Sequence, residues 1–214
     1  FQIFKFFKII ENDYNSLIRT MPSRFGAPAK ASITEEDNKI KIEILSFDDN
    51  GKLTSIVSNT LKQNIANYLS NYRMINDYIS VRSAQVIDLE YEFSVAMESS
   101  ENQGQVITSI VDSVNSYMSP STNLLGKNVN ISDIRRLIQD IPGVSTLADL
   151  KVFNKTGGQY SSSETSQRYL DKNTKQIELI DDTIFAQPNQ IYQIKFPEKD
   201  IKVRIKQLKN VEFS

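Results

Sequence analysis

The chain of 214 residues contains no cysteine and no histidine. Without Cys there is neither a disulfide nor a thiolate metal site. Without His the usual general base near neutral pH is missing, and with it Ser-His-Asp catalysis and the commonest zinc ligand. Lys, Tyr and carboxylate chemistry survive these absences, so they narrow enzymatic chemistry without forbidding it. No sign of charge is in excess: 25 Lys and Arg stand against 26 Asp and Glu, a formal net charge of −1. Such a balance gives no general pull toward nucleic acid or an acidic membrane. Long apolar runs are also scarce. The stretch "FQIFKFFKII" spans about half of what a membrane-crossing helix needs and has neither a basic leader nor a small-residue cleavage site. It predicts a buried strand, with no membrane insertion. Because the chain starts at Phe1 and turns polar abruptly at Glu11-Asn12-Asp13, it reads as a piece of a longer protein.

What is present suffices for one large domain or two small ones with a core that needs no covalent staples. The most informative stretch is "SPSTNLLGKNVNISDIRRLIQDIPGV", Ser119 to Val144. Ile134, Leu137, Ile138 and Ile141 fall at helical spacing and predict one buried face. Ser132 is the expected N-cap, Asp133 suits the positive end of the helix dipole, and Pro142-Gly143 stops the helix. A strand is expected around Leu147 to Phe153. The same device occurs earlier: "DYNSLIRTMP", Asp13 to Pro22, aligns without gaps on "DIRRLIQDIP", Asp133 to Pro142, with Tyr14, Leu17, Ile18 and Met21 at the matching apolar positions. Leu17, Ile18, Leu137 and Ile138 are all expected in the core.

Elsewhere "NKIKIEILSF" alternates Ile40, Ile42 and Ile44 with charged residues and predicts a half-buried strand, which "DDNG" turns. Leu53, Ile56, Val57, Leu61, Ile65 and Leu69 mark a long amphipathic helix. Ile87, Leu89, Tyr91, Phe93, Val95 and Met97 predict the clearest strand, with Asp88, Glu90, Glu92 and Ser94 on its other, solvated face. Val106, Ile107, Ile110, Val111, Val114 and Met118 line a further helix. "NKTGGQYSSSETSQ" has no apolar period and reads as a mobile loop. The final segment is β-rich, with alternation at Tyr192, Ile194 and Phe196 and at Ile201, Val203 and Ile205. The expected class is α+β, close to α/β, with small mixed sheets covered by helices. The expected divisions are an α/β domain over 1–98, a second over 99–156 that carries the repeated helix-Pro-strand unit, and a β-rich part over 157–214.

Candidate sites are few. "SFDDNG" begins like a calcium loop, but the position that needs a bidentate Glu is Val57, so it reads as a turn. Glu90 and Glu92 could form a carboxylate pair for acid-base work, yet they lie opposite an apolar stripe and read as a solvated face. "KTGGQYSSS" lacks the Gly-Lys-Ser/Thr ending of a phosphate loop. No catalytic residue, cofactor or metal site is assigned. The basic strand from Lys199 to Lys209, with Lys202 and Arg204, suits phosphate or an acidic partner, or serves as a charged edge that blocks unwanted pairing.

Four stretches carry a resemblance: "NDYNSLIRTMPSRFGAPAKASI", the "DDNGKL" turn before a helix, "ISVRSAQVIDLEYEFSVAM", and "YMSPSTNLLGKNVNISDIRRLIQDIPGVSTLADLKVF". In their order, from Asp13 to Phe153, the chain resembles the baseplate J-like family of contractile tails, most closely the baseplate wedge proteins of T-even-type phages. The family pattern is matched at Pro120, Gly126, Val129, Ser132, Ile134, Leu137, Ile138, Ile141, Gly143 and Val144. It departs at Pro22-Ser23, where the family often has Pro-Gly. The resemblance implies a non-enzymatic structural subunit of the tail baseplate in the virion, assembled in the host cytoplasm, that contacts other wedge proteins and rearranges when the sheath contracts. It also implies a two-fold dimer that links neighbouring wedges. A near-neutral chain must make such contacts mainly through apolar burial and shape. The expected anchors are Leu124 and Leu125 in a polar loop, and Tyr68 and Tyr72 near a helix end, with burial in their own cores as the alternative for each. Two other readings remain open: the equivalent component of a cellular contractile injection machine, and an enzyme using Lys or carboxylates.

Overall fold

A computed structural model describes residues 11–36, 39–73, 78–97, 102–165 and 170–206. The strand expected at Phe1 to Ile10 lies outside the described residues. The fold is α+β, as the pattern of elements predicts. The chain forms two compact units, one of residues up to Gln85 with Gln187–Gln190, the other of Val86–Ala186 and the residues from Ile191 on.

The first unit opens with helix α1 (Glu11–Arg19), a 3-10 turn at Ser23–Phe25 and strand β1 (Lys30–Glu36). Strand β2 (Lys39–Phe47) is central. It pairs antiparallel with β1, Ile33 opposite Ile42, and parallel with β4 (Tyr78–Ser83), Val81 opposite Ile42. Helix α2 (Asn59–Ser70) makes the crossover that parallel pairing requires. Ile40, Ile42 and Ile44 of β2 bury against Tyr14 and Ile18 of α1, Met21 just past its end, and Ile65 and Leu69 of α2. The predicted long helix is shorter than its apolar spacing suggested. Leu53–Thr54 form a short strand, β3, paired with Ser46 and Phe47, and the helix starts only after Ser58, whose hydroxyl caps Leu61 N–H at 3.2 Å. Ile56 is exposed as a result, while Leu53 and Val57 are buried outside the helix. The "DDNG" turn is closed by Asp48, whose carboxylate accepts from the backbone N–H groups of Asn50 and Lys52 at 2.9 and 2.8 Å.

The second unit is built on β5 (Gln85–Met97), followed by α3 (Gln103–Tyr117), β6 (Val129–Asn130), α4 (Ile131–Gln139), β7 (Val144–Lys155), β8 (Thr183–Ile184), β9 (Gln190–Gln193), the short α5 (Pro197–Asp200) and β10 (Ile201–Lys206). Strand β5 pairs antiparallel with β7 and parallel with β10, and β9 also pairs with it. Ile87, Leu89, Tyr91, Phe93 and Val95 form the core with Val106, Ile110 and Val114 of α3 and Ile131, Ile134 and Ile138 of α4.

Helices α1 and α4 cover equivalent residues of the two aligned stretches. Tyr14, Ile18 and Met21 are buried where Ile134, Ile138 and Ile141 are buried. Both helices end alike: Thr20 N–H donates to Ser16 O and Met21 N–H to Ile18 O, as Asp140 does to Arg136 and Ile141 to Ile138. Each leads into an edge strand antiparallel to the central strand of its sheet. Two expectations for α4 are corrected. Its cap is Asn130, whose side chain accepts from Ser132 N–H at 3.0 Å, because the helix begins before Ser132. Leu137 is 37% exposed, since the buried face runs through Ile131, Ile134 and Ile138. In α1 the corresponding Leu17 is half-buried, at the margin of the core.

Candidate functional site

Strand β5 has two buried faces. Asp88, expected in solvent, is fully buried, and Glu90 is 7% exposed. The cover is supplied by the Gly- and Ser-rich segment after β7, with β9 and α5. Ser161 N–H donates to Asp88 Oδ2 at 2.6 Å and Gln193 Nε2 to Asp88 Oδ1 at 2.8 Å. Tyr160 donates its hydroxyl to Asp200 Oδ1 at 2.6 Å, and Phe196 N–H donates to Asp200 Oδ2 at 2.9 Å. Thr165 N–H reaches Asn154 Oδ1 at 2.9 Å, while the Thr165 and Tyr192 hydroxyls meet at 2.8 Å. The segment expected as a mobile loop is irregular, but over residues 156–165 it is fastened to the sheet. Gly157 and Gly158, with φ of 81° and 60°, supply the left-handed turn that brings Tyr160 back over the strand.

Charge completes this face. Glu90 lies between Lys155 at 3.1 Å and Lys202 at 2.7 Å, and Glu92 between Lys202 at 3.5 Å and Arg204 at 3.6 Å. Burial pushes the Glu90 carboxyl up, but the two ammonium groups outweigh it and hold Glu90 below the usual carboxylate range. Burial pushes Asp88 up, partly offset by the bonds from Ser161 and Gln193. The Lys202 ammonium is raised, chiefly by its bond to Glu90. Among the described residues no group of three or more Asp or Glu is placed to hold a metal ion. The chemistry of this arrangement is adhesive: each carboxylate joins two parts of the chain.

Of the sequence-predicted interface residues, Lys202 and Arg204 belong to this cluster through their ion pairs with Glu90 and Glu92. Lys202 and Arg204 project from β10, with side chains 46% and 71% exposed. Tyr68 and Tyr72 form an aromatic row with Phe25, ring centres 5.3 Å apart for Tyr68–Tyr72 and 5.7 Å for Phe25–Tyr68. Tyr72 is exposed and Tyr68 half-buried. Leu124 is 53% exposed and Leu125 half-buried, in a loop that Asn123 anchors by donating its side-chain amide to Tyr192 O. Phe185, also exposed, borders this loop, since Ala186 N–H donates to Asn128 Oδ1 at 2.9 Å.

Sequence reasoning missed Tyr160, Asp200 and Asp182. Asp181 and Asp182 both have φ of 51° and turn the chain between Ile180 and Thr183. Asp182 then accepts Ile131 N–H through its carbonyl at 2.7 Å, and its carboxylate takes the Ser132 hydroxyl at 3.3 Å and Arg135 at 3.4 Å. The start of α4 is thus closed from a distant segment. The one local signal was the Asp-Asp pair, which suits left-handed turn positions.

No family model matches the sequence, and no curated protein matches it either. Among solved structures the fold is similar to that of a chain in the 6-fold symmetrised cryo-EM structure of the anti-feeding prophage (AFP) baseplate, with a TM-score of 0.55 and 11% identity. The match covers 87% of this chain and 37% of that one, so this chain spans well under half the length of its neighbour. At that identity the likeness is one of fold.

Proposed function

We propose that the chain is a non-enzymatic structural subunit of the baseplate of a contractile tail, of the phage wedge type, built into the virion tail and assembled in the host cytoplasm. The observation that carries this reading is the fold likeness over 87% of the chain to a baseplate component. The site chemistry agrees with it. Asp88, Glu90, Glu92 and Asp200 are engaged with internal donors, which is the use a rigid building block makes of buried charge. The repeated helix-strand units act as struts, and the Leu124–Leu125 loop offers exposed apolar area for contact with other wedge proteins or a second copy, joined about a two-fold axis.

The test is location. A full-length protein carrying a small epitope tag should appear at the baseplate end of purified particles by labelled electron microscopy, and disruption of its gene should yield particles without baseplates. Tag found only in particle-free lysate, with normal particles after disruption, would sink the proposal. A second reading, the corresponding component of a cellular injection machine, is favoured by the neighbour's source in an anti-feeding prophage. The same labelling separates the two by whether the tagged particles carry a DNA-filled head.

A further inference from the structure

Strand β10 is an edge. It pairs with β5 on one side, and among the described residues no strand pairs with its other side. Its sequence, IKVRIK, alternates apolar and basic residues. Ile201 and Val203 pack on the core, and Lys202, Arg204 and Lys206 are exposed. Along the shared face the parallel register sets Lys202 opposite Glu92, Arg204 opposite Ser94 and Lys206 opposite Ala96. Carboxylates therefore answer only the first part of the strand. Lys202 reaches Glu90 and Glu92, Arg204 has one diagonal contact to Glu92 at 3.6 Å, and Lys206 has no ion pair among the described residues.

We propose that the outer edge of β10 takes up an extended acidic segment of a partner protein, added as a further strand with carboxylates at alternate positions facing Arg204 and Lys206. Basic residues on an edge strand block pairing with other basic strands, and with a second β10, because cations would then stand about 5 Å from cations. An acidic strand escapes that block, so the same charges select it. The inner edge shows the kind of strand that fits, since β5 carries Glu90 and Glu92 two residues apart and pairs them with β10's cations. The row of backbone N–H and C=O groups that no described strand engages supplies affinity that only a peptide backbone can use, which favours a peptide over a nucleic acid. This inference adds a partner chemistry to the assembly reading but stands on β10 alone, and holds whatever particle the protein belongs to.

The full chain is titrated into a fluorescein-labelled peptide of alternating Glu and Thr, followed by anisotropy. Saturable binding is expected, weakened about tenfold in the double variant Arg204→Gln/Lys206→Gln. Two isomers of the peptide, N-methylated at one or the other set of alternating residues, keep every charge while one of them loses the amides that face β10. One isomer should fail to bind. Equal binding of both isomers would show simple charge attraction and overturn strand addition. So would no binding of the parent peptide, or equal affinity for a single-stranded oligonucleotide of the same charge. A thermal melt matching the parent protein establishes that the variant is folded, and Lys206→Gln alone, at a residue with no ion pair among the described residues, serves if the double variant melts early.

Discussion

Ile138 and Leu137 adjoin in sequence but occupy different surroundings. Ile138 is fully buried in the core that α4 shares with α3 and β5, whereas Leu137 is more than a third exposed. Ile138→Ala should cost about 2–5 kcal/mol and Leu137→Ala less than about 1 kcal/mol, read as shifts in the denaturant midpoint at constant slope. Equal shifts would mean that the face of α4 has been misassigned. A second prediction concerns pH. Glu90 is held below its unfolded value, so its ion pairs stabilise the fold above that value and are lost as pH falls through the lower, folded one. Glu90→Gln should cost about 1–2 kcal/mol at neutral pH, between the worth of exposed and of buried pairs, and little in acid, where the native Glu90 is itself neutral. Asp88 has the opposite sign: its carboxyl is pushed up, so its ionisation costs stability as pH rises through the folded value. The pH profile of the Glu90→Gln variant minus that of the parent isolates Glu90 from Asp88. A difference that does not vary between neutral pH and acid would remove the ion pairs from the account.

At the scale of elements, helix periodicity and the Asp48 turn were legible in the sequence because their causes are local, whereas the cap of α4 fell on Asn130 instead of Ser132 and its face left Leu137 exposed. The spacing of Tyr14, Ile18 and Met21, echoed by Ile134, Ile138 and Ile141, revealed two equivalent helices because 3.6-residue periodicity is a property of the segment itself. The cover on β5 was not legible. A strand with apolar residues at alternate positions buries one face, but its sequence does not say what lies on the other. That depended on Tyr160, Ser161, Gln193 and Asp200, which lie far along the chain from β5 and whose hydroxyl, amide and carboxylate groups have no period to read. The overlong reading of α2 has a related cause: Leu53 and Val57 are buried, as helical spacing suggested, but from a strand and a loop. A prediction at this scale concerns the turn that enters β1. Gly26 has φ of 85°, and a Cβ there would lie 2.9 Å from Leu61 Cδ1. Gly26→Ala should cost about 1–3 kcal/mol through the left-handed backbone, with the leucine shifting to make room. An unchanged melting temperature would show that the turn relaxes freely.

For the whole molecule the proposed function raises the question of what a near-neutral chain would use to assemble. With a net charge of −1, long-range attraction between copies is weak, so a stable contact needs apolar area. Leu124 and Phe185 are both large and exposed, on loops that Asn123 and Asn128 tie down through side-chain hydrogen bonds. Anchored apolar side chains lose little conformational freedom on contact, which favours them as the centre of an interface. In a two-fold contact each anchor occurs twice, so one substitution removes two. Multi-angle light scattering across a dilution series should therefore show the full chain passing from two copies to one, and Leu124→Glu should stay at one copy throughout. Because Leu124 is more than half exposed in the single chain, that variant should keep the parent's thermal stability at concentrations where both are monomeric. A parent mass fixed at one copy up to high concentration would reject self-association through this loop, and a Leu124→Glu variant that still dimerises would move the contact elsewhere.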